Sequence, residues 1–175
     1  MNKPLFVISC PIDVYSGYSQ RSRDIVKALI DLNKYNIRIL PQRWGNCNWG
    51  YIDDNPEWKF LEEYILPNNQ LPKQPDIWAQ ITIPSEFQPI GKYNIGFTAG
   101  IESNICAGDW IEGLNRMDLN IVSSEHSKKV FQETTFEKRN KHTNALEGNI
   151  KLEKPIEVLF EGCSTSVYQP IKWID

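Results

Sequence analysis

Leu5-Phe6-Val7-Ile8-Ser9-Cys10, closed by Pro11, is an apolar run without alternation. A strand that reads this way is covered on both faces, as strands of parallel sheets are. Beyond a short polar loop, residues 20–33 place Ile25, Ala28, Leu29 and Leu32 at helical spacing, with Arg21, Arg23, Asp24, Lys27 and Asp31 on the other face. Ser19 is the expected N-cap of that helix. Asn36 then leads into Ile37-Arg38-Ile39-Leu40, a second short strand stopped by Pro41. A strand, a helix and a strand in this order need a crossover, normally right-handed, and commit the chain to a parallel sheet with helices packed on it.

Working outward, 41–50 combines turn formers with Trp44 and Trp49 and reads as an irregular loop pinned by aromatic packing. Residues 57–66 predict a helix carrying Phe60, Leu61, Tyr64 and Ile65, and 76–83 and 93–99 predict further strands. A short helix over 109–117, a buried strand at Leu119-Asn120-Ile121-Val122, and a helix capped by Ser124 with Glu125 at its positive end follow. The polar segment 134–154 has no apolar rhythm and reads as a surface excursion or flexible loop, placed at about 132–154 in the domain. Ile156-Glu157-Val158-Leu159-Phe160 is the last expected strand. The fold class expected is therefore α/β, a Rossmann-like three-layer domain with a mainly parallel sheet flanked by helices.

The 175 residues, 41% hydrophobic, suit one core and are short for two, so residues 1–175 are read as a single domain. With 19 basic and 22 acidic residues, the net charge of -3 provides no general attraction to nucleic acid or anionic lipid. No run approaches the roughly 20 apolar residues of a membrane span and the start lacks a signal peptide, so a cytoplasmic location is expected, that of a host if the chain is viral. Cys10, Cys47, Cys106 and Cys163 lie far apart, with no C-x-x-C pair, and are expected to be separate, mostly buried thiols instead of zinc ligands.

Ligands of open parallel sheets sit beyond the carboxyl ends of the strands, where loops and helix N-termini converge. Candidate residues are therefore Asp13, Tyr15, Ser16, Gly17, Tyr18 and Ser19 after the first strand and Gln42, Arg43 and Trp44 after the second. Later loops add Glu86, then Thr98, Ala99, Gly100, Ile101 and Glu102, then Ser124 and Glu161. Gly17 lets a ligand approach the backbone, and Glu102 follows a glycine turn where a carboxylate can accept a proton from a hydroxyl. Tyr-Ser-Gly-Tyr-Ser at 15–19 is neither a dinucleotide fingerprint nor a P-loop, and an ordinary strand-to-helix connection stays open beside the ligand-binding reading. His126 and His142 read as surface residues, and no Ser/His/Asp or Cys/His set, metal site or cofactor motif is evident.

Several stretches, in order, resemble the N-terminal, acceptor-side domain of GT-B glycosyltransferases, in particular the large retaining group and its phage-type relatives. They are Pro11-Ile12-Asp13-Val14-Tyr15-Ser16-Gly17-Tyr18 with the helix Arg21-Ser22-Arg23-Asp24-Ile25-Val26-Lys27-Ala28-Leu29, and Ile95-Gly96-Phe97-Thr98-Ala99-Gly100-Ile101-Glu102. Asn115-Arg116-Met117-Asp118, then Val122-Ser123-Ser124-Glu125-His126-Ser127-Lys128-Lys129-Val130-Phe131, and a last stretch from Phe160-Glu161-Gly162-Cys163 to Pro170 complete the set. The resemblance spans nearly the whole chain and implies one half of a GT-B fold. It implies that Gly17 lies near the donor phosphates, Glu102 near the acceptor and reacting carbon, and Ser124 at a helix bordering the cleft. Many relatives carry a histidine in the loop at 98–102, which is absent here. The sequence stops at Asp175 without a donor-binding domain, so a sugar transferase completed by a complementary chain, and inactive alone, is the expectation. Its partners would then be a nucleotide sugar and an acceptor, with a homodimer as another way to cover the exposed cleft. A non-catalytic module gripping a saccharide, nucleotide or protein through Trp44, Trp49 and Trp58 stands as the alternative.

Overall fold

The computed structural model describes residues 3–140, 142–163, 165 and 168–170. Its centre is a six-stranded sheet built from β1 (Leu5–Cys10), β2 (Asn36–Pro41), β3 (Ile77–Ile81), β4 (Tyr93–Thr98), β5 (Leu119–Val122) and a further strand, Ile156–Val158. All pairings in that sheet are parallel, and the spatial order is β2-β1-β3-β4-β5 followed by Ile156–Val158. Helices α1 (Gly17–Leu32), α2 (Tyr51–Asp54), α3 (Gly108–Asn115) and α4 (Glu125–Glu133) complete the layers. This is the α/β, Rossmann-like three-layer architecture expected from the sequence.

The all-apolar reading of β1 has a direct cause. Every residue of the strand is buried, and successive side chains leave opposite faces of the sheet. Phe6, Ile8 and Cys10 join Val26 of α1, Ile37, Ile39, Ala79 and Ile81 in one core. Leu5 and Val7 join Trp78, Phe87, Ile111, Leu114, Val130 and Phe131 in the other, under α3 and α4. At about 1.5–3 kcal/mol for each large apolar side chain fully buried, β1 anchors both layers at once.

Several local expectations are corrected. Helix α1 starts at Gly17, not at residue 20, and its N-cap is Ser16: Ser16 is extended (φ -159, ψ 165) and its Oγ accepts from the Ser19 amide. Ser19, expected to cap, is instead buried one turn inside with its hydroxyl 2.7 Å from that of Ser16. The segment after α2 is a 3-10 helix, Pro56–Tyr64, instead of an α-helix. Its inward residues Trp58, Leu61 and Tyr64 are three apart, the period of a 3-10 turn, and all pack on the α1-side core. From there the Leu66 amide donates to the Ile39 carbonyl at 2.8 Å, holding the chain against the β2 edge.

The excursion at 134–154 is an antiparallel hairpin of β6 (Thr135–Arg139) and β7 (Leu146–Lys151), not a structureless loop. Phe136 lies opposite Ile150, and these two side chains close over Gly108 at the start of α3. The turn is organised by Asn140, whose side-chain oxygen accepts from the amides of His142 and Thr143, and by Asn144 at φ 56. With β6 and β7 named, the last strand of the main sheet is β8 (Ile156–Val158), shorter than the run through Phe160 expected for it. Of the cysteines, Cys10 and Cys106 are buried, Cys47 is half-buried and Cys163 is exposed, so half of the set departs from the expected burial.

Candidate functional site

Strand β1 is followed in space by β2 on one side and β3 on the other, so the chain changes winding direction between β1 and β3. The connections leaving the two strands part there and open a crevice at the carboxyl ends. Gln42, just beyond β2, bridges that opening: its Oε1 accepts from the Ser9 hydroxyl at 3.1 Å and its amide donates to the Ile81 carbonyl at 2.7 Å. Above it lies a cavity of about 210 Å³ lined by Gly17, Tyr18, Arg21, Trp44, Ile81, Phe97, Thr98, Ala99 and Glu161.

Each wall has a local reason. Tyr18, in the first turn of α1, stacks on Trp44 with ring centroids 4.1 Å apart, an arrangement that fixes the irregular loop after β2 against the helix. The Tyr18 hydroxyl accepts from the Ala99 amide at 3.0 Å and lies 3.1 Å from the Thr98 hydroxyl. The end of β4 is thereby tied to the start of α1, although 80 residues separate Tyr18 from Thr98. The Ala99 carbonyl is held in turn by the hydroxyls of Ser123 and Ser127 at the head of α4. On the outer side Arg21 donates to the Leu159 carbonyl and lies 3.9 Å from the Glu161 carboxylate, so the segment after β8 flanks the opening.

Gly17, Tyr18 and Thr98, all expected at a ligand site, thus meet at one cavity. A Cβ added to Gly17 meets nothing within 4 Å, so the protein's own packing does not demand a glycine there. Ser16 caps α1 beside them. Gly100 sits at φ +97, where a Cβ would fall 2.1 Å from Ser127 Oγ; the glycine lets the loop after β4 lie against α4. Ser124 caps α4, as expected, with its Oγ accepting from the Ser127 amide. It reaches the cavity only through Ser127 and the Ala99 carbonyl.

Other candidates lie elsewhere. The Asp13 carboxylate accepts from the amides of Ile52 at 2.8 Å and Gly50 at 3.3 Å, fastening the loop after β1 to the start of α2. Arg43 is exposed and donates to the Gly45 carbonyl within its own loop. Glu86 accepts from the Thr82 hydroxyl in the turn between β3 and β4. Glu102 is exposed in the bend beyond β4 and is not among the cavity-lining residues. Arg21, Ile81 and Phe97 line the cavity as well; in the sequence they sit within a helix or strand pattern, and nothing in it marks their positions as opening on a cavity.

A buried cation underlies the loop. Arg23 is 1% exposed, donates to the carbonyls of Ile12 and Val14 and to Gln20 Oε1, and lies 3.5 Å over the Tyr51 ring. Burial lowers its pKa from the ordinary value. The Cys10 thiol is pushed up to about 12, chiefly by burial, and is chemically inert there. Tyr15 is raised to about 12, first by the hydrogen bond its hydroxyl gives Asp54. Among the described residues, no group of three His, Cys, Asp or Glu is placed to hold a metal ion, and no helix is long and apolar enough to cross a membrane.

Fold and site together define an α/β domain with a ligand-sized cavity at the switch point of a parallel sheet. No protein-family profile matches the chain, and no curated protein or solved structure matches it significantly.

Proposed function

We propose that this domain is the acceptor-side half of a sugar transferase of the two-domain type, binding an acceptor in the switch-point cavity while a second domain presents the activated sugar. One observation carries the reading: Gly17 and Tyr18 from the head of α1, Trp44 from the loop after β2, and Thr98 with Ala99 from the end of β4 line a single cavity. Such a site joins apolar walls to a few fixed polar groups, the usual composition of small-molecule sites. The order of the resembling motifs supports the same conclusion.

The test is sugar transfer by this chain joined to a donor-binding domain, with UDP-, GDP- and ADP-activated sugars and mass spectrometry of the products. Transfer that falls at least tenfold on Trp44→Ala supports the reading. Absence of transfer and of donor hydrolysis with every donor overturns it.

A second reading has its own support. Glu102, the carboxylate expected beside the reacting carbon, is exposed and away from the cavity lining, which favours a binding module without chemistry. Saturable binding of a saccharide or nucleotide with no turnover in the joined protein selects this reading.

A further inference from the structure

We infer that the switch-point cavity takes a flat aromatic ring, so that, on the transferase reading above, the acceptor carries its hydroxyl on or beside such a ring and is not a hexose.

Size is the first constraint. An apolar cavity of roughly 150 Å³ accommodates benzene. About 210 Å³ therefore suits one substituted ring. The second constraint is the chemistry of the floor. Ile81 and Phe97 are buried, at 1% and 9% exposure, and line the cavity together with Trp44 and Tyr18, whose rings are stacked.

The supply of hydrogen bonds is the third. Five lining residues carry polar side-chain groups: Tyr18, Arg21, Thr98, Glu161 and, through its single indole N–H, Trp44. The Tyr18 hydroxyl already accepts from the Ala99 amide and shares a contact with Thr98. Arg21 is engaged by the Leu159 carbonyl and lies near Glu161. A hexose carries a hydroxyl on nearly every ring carbon, and most of them would face apolar wall without a partner, an expensive arrangement. An aromatic ring needs no such partners around its rim and gains from contact with the indole and phenol. Its one hydroxyl finds a counterpart either at Thr98 on the buried side or at Arg21 and Glu161 on the exposed side.

The experiment is calorimetric titration of the chain with 4-nitrophenol and, separately, methyl α-glucopyranoside. The phenol is expected to bind saturably, and the glucoside at least tenfold more weakly. Ala99 is exposed at the rim, so Ala99→Trp blocks the cavity from outside and is expected to weaken phenol binding at least tenfold with the circular dichroism unchanged. Trp44→Ala is expected to do the same by removing a wall, which covers the case in which the first variant does not fold. Equal or tighter glucoside binding, no saturable phenol binding, or full affinity in both variants overturns the inference. The two proposals fail separately. Phenol binding without sugar transfer in the joined protein refutes the transferase and leaves the ring site. Preferential glycosylation of the glucoside refutes the ring site and leaves the transferase.

Discussion

Replacing Arg23 by methionine removes every donor of a buried guanidinium while keeping most of its length. In the native protein that group serves the Ile12 carbonyl at 3.0 Å, the Val14 carbonyl at 3.3 Å and Gln20 Oε1 at 3.2 Å. It also stands 3.5 Å above the Tyr51 ring. Ile12 and Val14 are fully buried, so their carbonyls have no ready access to water when the donor goes. Each buried acceptor left unsatisfied costs about 1–3 kcal/mol, and a desolvated cation–π contact about 0.5–2. Against this, the variant no longer buries a charge whose Nε has no partner and whose pKa is depressed by desolvation. The losses outweigh that relief, and a net destabilisation of about 2–4 kcal/mol is expected for Arg23→Met. Arg23→Ala, which also leaves a hole, should lose about 1–2 kcal/mol more. Urea unfolding followed by tryptophan fluorescence measures this; with a slope of roughly 2 kcal/mol/M the midpoint of Arg23→Met falls by about 1–2 M. A midpoint within 0.2 M of the parent, an arbitrary limit of about 0.4 kcal/mol at that slope, shows that the guanidinium does not hold the loop and refutes the reasoning.

Gly113→Ala places a Cβ 1.8 Å from the Pro84 carbonyl oxygen, a backbone atom that cannot turn aside. Overpacking of about 3 kcal/mol should outweigh the roughly 1 kcal/mol of added helix propensity, and a variant as stable as the parent in the same unfolding assay contradicts the packing of α3 on the turn after β3. Asp76 accepts from Lys92 and from the Leu5 amide, and the Lys92 hydrogen bond first holds its pKa below the ordinary 3.8. A depressed folded value means stabilisation that is complete above the unfolded pKa and lost as pH falls through the folded one. The stability gap between the parent and Asp76→Asn should therefore be full at neutral pH and close in acid below 3.8. A gap independent of pH between 7 and 2.5, both roughly chosen to bracket that carboxylate, argues against the ion pair. Alkylation by iodoacetamide under native conditions should modify Cys163 first and spare Cys10 and Cys106 until urea is added, as peptide mapping would show. Modification of Cys10 at the rate of Cys163 is incompatible with its burial.

How far the sequence discloses this molecule depends on how local each cause is. The parallel sheet is legible because β1 is apolar on both faces and because a strand, helix and strand in succession allow few arrangements. The 3-10 character of Pro56–Tyr64 is not, since over nine residues a period of three and one of 3.6 put nearly the same apolar residues inward. The hairpin of β6 and β7 is hidden for another reason. Its apolar pair, Phe136 and Ile150, is split by a charged stretch, and its turn rests on side-chain hydrogen bonds of Asn140. At the cavity, Gly17, Tyr18 and Thr98 are readable because they lie at or just beyond the ends of strands. The stack of Trp44 on Tyr18 and the turning of Asp13 toward the α2 amides depend on how two loops meet, and no spacing in the sequence encodes that.

Backbone amide chemical shifts of the labelled chain, recorded while 4-nitrophenol is added to saturation, locate the site that the aromatic ring occupies. Shifts concentrated at Gly17, Tyr18, Trp44, Thr98 and Ala99 are expected, with the Trp44 indole moving among them. Shifts gathered at the opposite, amino-terminal edge of the sheet around Lys3, Asn36 and Lys73, or none at saturating phenol, would contradict an aromatic-ring site at the β1–β3 switch point.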